Sequence, residues 1–198
     1  MQAVEELQGS LALANILSAI WLGDWERYET IFKEMPEIVK NEFPFHPFYH
    51  REEVEIWYDN HFSIPGSFFI PPYISSYSSQ NGAAVEDSKK NLLCLIGHYE
   101  KMGFYYPLEN NLYPDHVGCL MAFISSLLQE EIKAAQSLDK ELSTELGTLK
   151  KELLWENLYP ILQPMQKYAE NRVRHPFIKE FLNYFCHTVK RKELLLVV

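Results

Sequence analysis

Apolar residues recur every three or four positions along most of the chain, which is the spacing of amphipathic α-helices. Val4, Leu7 and Leu11 open such a pattern, which continues to Trp21 and stops at Gly23. A second pattern runs from Trp25 to Met35 and stops at Pro36, a residue that disfavours helix continuation. The sequence therefore predicts a helical hairpin at the start.

The same spacing returns in the rest of the chain, and no stretch alternates as a β-strand would. It is clearest between Val117 and Ile132, which we predict to be a central core helix. No βαβ unit, Gly-rich dinucleotide turn or fixed repeat is present. We therefore predict an all-α, single-domain bundle of about eight helices spanning residues 1–198, with a subdomain hinge around 104–116. The other predicted helices cover residues 54–62, 92–102, 138–153, 165–169 and 177–189.

Proline interrupts these patterns mainly in one region, since six of the eleven prolines lie between Pro36 and Pro72. The Phe43–Tyr49 stretch, FPFHPFY, cannot propagate a helix. The longer Ile64–Gly82 stretch has Pro-Gly and Pro-Pro breaks and no strong period, so we expect an irregular segment. Its aromatic residues indicate that it packs against the domain, and a loop of this length is often functional.

Residues that favour helix ends mark two of the later helices. Asp87 or Ser88 is a candidate N-cap for the helix that ends at Gly103. Pro114 suits the first position of the core helix, which places Asp115 and His116 in its first turn.

The formal net charge of −9 argues against a nucleic-acid partner, because phosphate binding requires a basic face. A cationic partner fits better. The first six residues include the acidic Glu5 and Glu6 where a secretory leader would be basic, so the chain is not expected to be exported. The apolar run from Leu11 to Leu22 is too short and too polar to span a bilayer, so no stable membrane insertion is expected. The three cysteines are odd in number and far apart, and none forms a CxxC pair, which fits a reducing compartment.

Two arrangements of side chains could carry chemistry. His116 and Cys119, beside Asp115, have the spacing of a Cys/His nucleophile on one helix face, which leaves a small hydrolase as an alternative. His46 and His50 have the spacing of a helical metal site, but Pro47 between them removes the helix, so we predict no metal. No P-loop is present, and no cofactor is predicted.

One further set of motifs spans most of the chain. Gly103-Phe104 follows a helix, a polar loop leads to Pro114-Asp115-His116, and a long apolar helix containing Phe123 comes next. This order resembles the TorD/DmsD/NarJ chaperones, which assist the maturation of redox enzymes. Residues 62–66, FSIPG, and 71–77, PPYISSY, resemble that family's F-x-x-P-G and P-Y-E-S-V-Y segments. Residues 155–160, WENLYP, resemble its H-L-x-x-W-x-P region.

The resemblance implies a cytoplasmic chaperone that is not an enzyme. Such a protein binds the twin-arginine leader of a molybdopterin-type oxidoreductase subunit in its apo form, assists cofactor insertion and delays export. An acidic rim for arginines and an apolar floor for the leader would suit this task. The rim residues are then Glu109, Asp115 and His116, beside Pro114, and the floor residues are Tyr73, Tyr77, Tyr113 and Phe123.

Carboxylates that the family usually carries are absent here, where Tyr113, Ile74, Leu120 and Ala122 occupy their places. A NarJ-like chaperone, whose client lacks a cleavable leader, is therefore an alternative. The client, guanine-nucleotide binding and a homodimer are left open.

Overall fold

In a computed structural model, residues 2–81, 85–191 and 194 are described, and this part of the chain is all-α, as predicted, without a β-strand. Eight of its α-helices have at least eight residues, in agreement with the predicted number, and two are single turns. The helices are α1 (Gln2–Leu22), α2 (Trp25–Glu34), α3 (Glu37–Lys40), α4 (Arg51–Tyr58), α5 (Val85–Lys101), α6 (Tyr106–Glu109), α7 (Val117–Gln136), α8 (Lys140–Leu153), α9 (Leu162–Arg172) and α10 (Pro176–Lys190).

The α1–α2 hairpin turns at Gly23, whose φ of 66° is in the left-handed region. A Cβ there would lie 2.9 Å from the ring of Tyr58, so glycine is required for both backbone and space. Asp24 then caps α2 by accepting a hydrogen bond from the Arg27 amide at 3.1 Å. The predicted hairpin is therefore confirmed.

The core is organised around α7, which packs along α1. From Val117 to Leu128 nearly all of its side chains are buried, as the predicted apolar stripe requires. The two helices approach closely at Gly118, where a Cβ would stand 2.6 Å from Leu22 Cδ2. One apolar core continues from these helices to α10.

Aromatic residues join α2 and α10 through the Phe43–Tyr49 stretch. As predicted, this stretch forms no α-helix; it contains a single 3₁₀ turn at His46–Phe48. His46 stacks on Phe32 with ring centroids 4.1 Å apart, and its Nδ1 is 2.8 Å from the Tyr28 hydroxyl. His46 is therefore a packing residue.

The predicted irregular segment is only partly irregular. Residues 64–72 have no regular structure, but Ile74–Asn81 forms a 3₁₀ helix, and Gly82 lies outside the described residues. The i,i+3 geometry needs no apolar repeat at 3.6 residues, so the sequence pattern did not reveal it. Arg172 Nη1 donates to the Phe69 carbonyl at 2.6 Å, which ties the segment to α9.

Three predicted boundaries were wrong. Helix α5 begins at Val85, so neither Asp87 nor Ser88 is its N-cap. Helix α7 begins at Val117 and has His116 as its N-cap, so Pro114 is not its first residue. Leu138 lies in the turn before α8 with a φ of 62°, and 81% of it is exposed. At α7 and α8 the start is set by the capping side chains of His116 and Asp139, which accept the amides of Gly118 and Leu142.

No helix in the described part of the chain is both long and apolar enough to cross a bilayer. The 104–116 segment contains α6 and is hydrogen-bonded to its neighbours, for example through the Tyr99 hydroxyl and the Pro114 carbonyl at 3.0 Å. A hinge there stays a prediction.

Candidate functional site

Residues 72–75 and 115–117 are joined by a short antiparallel bridge, although they are about forty positions apart. The Val117 amide donates to the Pro72 carbonyl at 2.8 Å, and the Ile74 amide donates to the Asp115 carbonyl at 3.0 Å. These bonds hold the Pro114-Asp115-His116 segment, which directly precedes α7, against residues 72–74. Two of the segments that carry the family resemblance therefore meet in space.

Asp115 has an unusual environment for a carboxylate. It is only 6% exposed, and its Oδ2 accepts a hydrogen bond from the Ser75 amide at 3.0 Å. Within the described residues, no Lys or Arg forms a salt bridge with it. A nearly buried carboxylate without a cation is costly, so a cationic group that docked beside it would be stabilised.

His116 is the N-cap of α7, and its side chain takes part in the cap. Its Nδ1 accepts the Gly118 amide at 3.0 Å, which leaves the proton of the neutral ring on Nε2. Burial lowers the pKa of His116 to about 4, although the neighbouring Asp115 carboxylate opposes this change. The ring is therefore neutral at physiological pH. It supplies no positive charge to offset the negative charge of Asp115.

Asp115 lies at the edge of a pocket of about 140 Å³ between the Ile74–Asn81 helix, α5 and the Leu154–Leu158 π-helical turn. Small-molecule sites are commonly about 300–1,000 Å³, so this pocket suits one side chain and is too small for a nucleotide. Buried apolar groups form its floor, and a second carboxylate, Glu156, stands on its rim. The lining residues are Ile74, Ser75, Ser88, Asn91, Leu92, Leu95, Asp115, Glu156, Asn157, Pro160 and Ile161.

The pocket brings a third resemblance segment, residues 155–160, beside the other two. Glu156 and Asn157 line it, while the rings of Trp155 and Tyr159 stack 4.4 Å apart on an exposed surface of the same turn. π-Helical turns often occur at functional sites. The sequence analysis quoted this segment but did not select Glu156, whose proximity to Asp115 depends on packing alone.

The predicted site residues near the bridge differ in exposure, since His116 is buried, Tyr73 is half-buried, and Tyr113 and Glu109 are exposed. The Tyr73 ring contacts the rings of Tyr113 and His116, with centroids 5.8 and 5.2 Å away. Tyr113 is 71% exposed, and Glu109 is exposed on α6. This exposed group can contact a partner, and Tyr105 and Leu108 of the same region add apolar surface.

Tyr77 and Phe123 are placed differently, because both are fully buried. The Tyr77 hydroxyl donates to the Pro71 carbonyl at 2.8 Å, and Phe123 packs on Tyr99 and Phe104. Their side chains support the site from below and do not form an accessible floor. The apolar lining of the pocket comes instead from Leu92, Leu95 and Ile161, which the sequence analysis did not select.

The geometry does not favour a hydrolase. Cys119 is fully buried, and burial raises the pKa of its thiol to about 12, so it is protonated and shielded from a substrate. His116 Nδ1 is already occupied as the helix cap. Within the described residues, no group of three or more His, Cys, Asp or Glu side chains could hold a metal ion.

Comparison with known proteins gives one match. The sequence profile of a family described as nitrate reductase delta subunit matches residues 49–160, which include all three segments around the pocket. Searches among curated proteins and among solved structures returned no significant match.

Proposed function

The chain belongs to the nitrate reductase delta subunit family, and from that premise we propose that it binds a peptide segment of an oxidoreductase subunit during assembly. The family is one of chaperones for the maturation of molybdoenzymes, within the broader TorD/DmsD/NarJ group. The client is the apo form of a molybdopterin-type subunit, and the chaperone acts in the cytoplasm without catalysing a reaction. It requires no cofactor of its own.

The observation that supports this proposal is the Asp115 carboxylate, which is nearly buried at the edge of a side-chain-sized pocket and has no cation beside it. A guanidinium donates hydrogen bonds in a planar fork that matches a carboxylate, so arginine is the side chain best suited to this position. Glu156 on the rim adds a second negative charge. The net charge of −9 favours the approach of a basic peptide.

The preferred ligand is an N-terminal leader with two arginines followed by an apolar stretch. One arginine enters the pocket beside Asp115, and the second stays at the rim near Glu156. The apolar stretch lies along Tyr113 and Leu108, which are exposed, and along the half-buried Tyr73. Binding of this leader delays export until the client's cofactor has been inserted.

The family match favours a second form of the same function. In the NarJ-like alternative, the client has no cleavable leader, and the chaperone binds an N-terminal segment without paired arginines. A single Arg or Lys in that segment would still satisfy Asp115. The two forms therefore share the pocket and differ in the peptide.

Calorimetry with synthetic peptides tests the proposal. A twin-arginine leader should bind with a Kd in the micromolar range or tighter, corresponding to about −8 kcal/mol. Asp115→Asn should weaken binding by about 2–5 kcal/mol, because it removes a buried, charge-assisted contact. The Asn carbonyl can still accept the Ser75 amide, so the melting temperature should change little.

Glu34→Gln is a matched control, since Glu34 is exposed on α2 and the substitution changes the net charge equally. It should leave the affinity unchanged. The proposal fails if Asp115→Asn and Glu34→Gln bind the leader equally well, or if no peptide binds. Equal affinity for the leader and for variants in which either arginine alone is replaced by glutamine would favour the NarJ-like form. Equal affinity with both arginines replaced would contradict cation binding at Asp115.

A further inference from the structure

Cys94 and His98 lie one turn apart on α5 and point in the same direction. Cys94 is exposed, and its Sγ is 3.5 Å from His98 Nε2. The other two cysteines, Cys119 and Cys186, are buried, and burial raises the pKa of each thiol to about 12. Cys94 is therefore the accessible thiol of the three, and it already has an imidazole beside it.

The distance between these two atoms matches the geometry of a tetrahedral metal ion. Zn²⁺ binds a thiolate sulfur at about 2.3 Å and an imidazole nitrogen at about 2.0–2.1 Å. With an angle of about 109° at the metal, the two donor atoms stand about 3.5 Å apart. The pair could therefore bind the ion without moving either donor, and in the metal-free protein the same distance accommodates a weak S–H···N hydrogen bond.

Two ligands complete only half of a tetrahedral site. Among the described residues, no third His, Cys, Asp or Glu side chain joins this pair. A two-fold axis beside α5 would bring in the same pair from a second chain and give a Cys₂His₂ set, which is common for structural zinc. Leu93 is adjacent to Cys94 and 68% exposed, and such a contact would bury its apolar side chain away from water.

We propose that Cys94 and His98 form half of a tetrahedral zinc site, which the same two residues of a second copy complete. Zinc then links two chains through their α5 helices, and each thiol releases its proton on binding. The zinc site does not depend on the proposed chaperone function, although the same helix lines the client pocket through Asn91, Leu92 and Leu95.

Zinc titration of the untagged, reduced chain tests the proposal, with stoichiometry measured by calorimetry and mass by light scattering. The expected result is one zinc per two chains and a rise in mass from 23.3 kDa to about twice that value, reversed by a chelator. Cobalt in place of zinc should give the near-ultraviolet absorption of a thiolate bound to tetrahedral Co²⁺.

Cys94→Ser and His98→Ala should each lower the zinc affinity at least about tenfold and abolish the mass increase, since even the loss of an outer-shell partner costs about 10–100-fold. His187→Ala, which removes another exposed histidine, should change neither measurement. The proposal is overturned if zinc binds without a change in mass, or if the Cys94→Ser variant binds zinc as tightly as the parent chain.

Discussion

Replacing Lys150 by methionine should lower the free energy of unfolding by about 3–5 kcal/mol. Lys150 lies on α8, and its Nζ is 2.6 Å from Glu131 Oε2 on α7. The two side chains are 0% and 5% exposed, so water does little to screen the charges. Loss of the ammonium group leaves the Glu131 carboxylate buried without a cation, and this uncompensated charge is the source of the cost.

Removing both charges should cost far less than removing one. In the double variant Lys150→Met, Glu131→Met, no buried charge remains, and apolar replacements of buried ion pairs are often neutral or even stabilising. The double-mutant cycle should therefore give a coupling energy of about 3 kcal/mol or more.

Urea unfolding followed by far-UV circular dichroism and tryptophan fluorescence measures these values. Lys133→Met is the matched control, because Lys133 forms an exposed ion pair with Glu130 on the same helix at 2.6 Å. It should cost less than about 1 kcal/mol. Equal costs for Lys150→Met and Lys133→Met, or additive single effects in the double variant, would refute the reasoning.

Three further predictions concern stability, each measured by urea unfolding. Because the pKa of His116 falls from 6.5 to about 4 on folding, its contribution is fully present above pH 6.5 and is lost as the pH falls towards 4; at about 1.36 kcal/mol per pKa unit, the loss is about 3 kcal/mol. His116→Gln should flatten this dependence, and an unchanged pH profile would contradict the assignment. Leu138→Gly should stabilise the fold by about 1 kcal/mol, because glycine adopts the φ of 62° without strain and the leucine side chain is exposed. A destabilised variant would show that the leucine side chain contributes to packing. Gly118→Ala should destabilise the fold by about 1–3 kcal/mol, because the added Cβ would overlap with Leu22. Gly9→Ala is the control and should be neutral or stabilising, since there is open space around Gly9. Similar effects of the two substitutions would argue against close packing of α1 and α7.

The comparison between Asp115 and Cys119 shows why function could not be assigned from spacing alone. Both residues are near the start of α7, and the sequence placed them beside His116 in a plausible catalytic group. Packing separates their roles, because Cys119 enters the core while Asp115 stays at the edge of a pocket. Of the two residues, only Asp115 borders a space that a side chain of a partner can enter.

The sequence alone determined the features that depend on neighbours three or four positions away. The all-α class, the hairpin at Gly23, the core stripe that begins at Val117 and the helix end at Gly103 all follow from local periodicity and backbone preference. These interactions form within a few residues, so their pattern is visible in the sequence.

Tertiary structure decided everything that joins distant parts of the chain. It buried Tyr77, which the motif alone suggested as a surface contact. It also placed Glu156 at the same pocket as Asp115, although the two residues are forty-one positions apart in the sequence. It also paired Lys150 with Glu131 inside the core, a contact that the sequence analysis did not predict. These positions depend on how whole helices cross and pack, and no local spacing encodes that geometry.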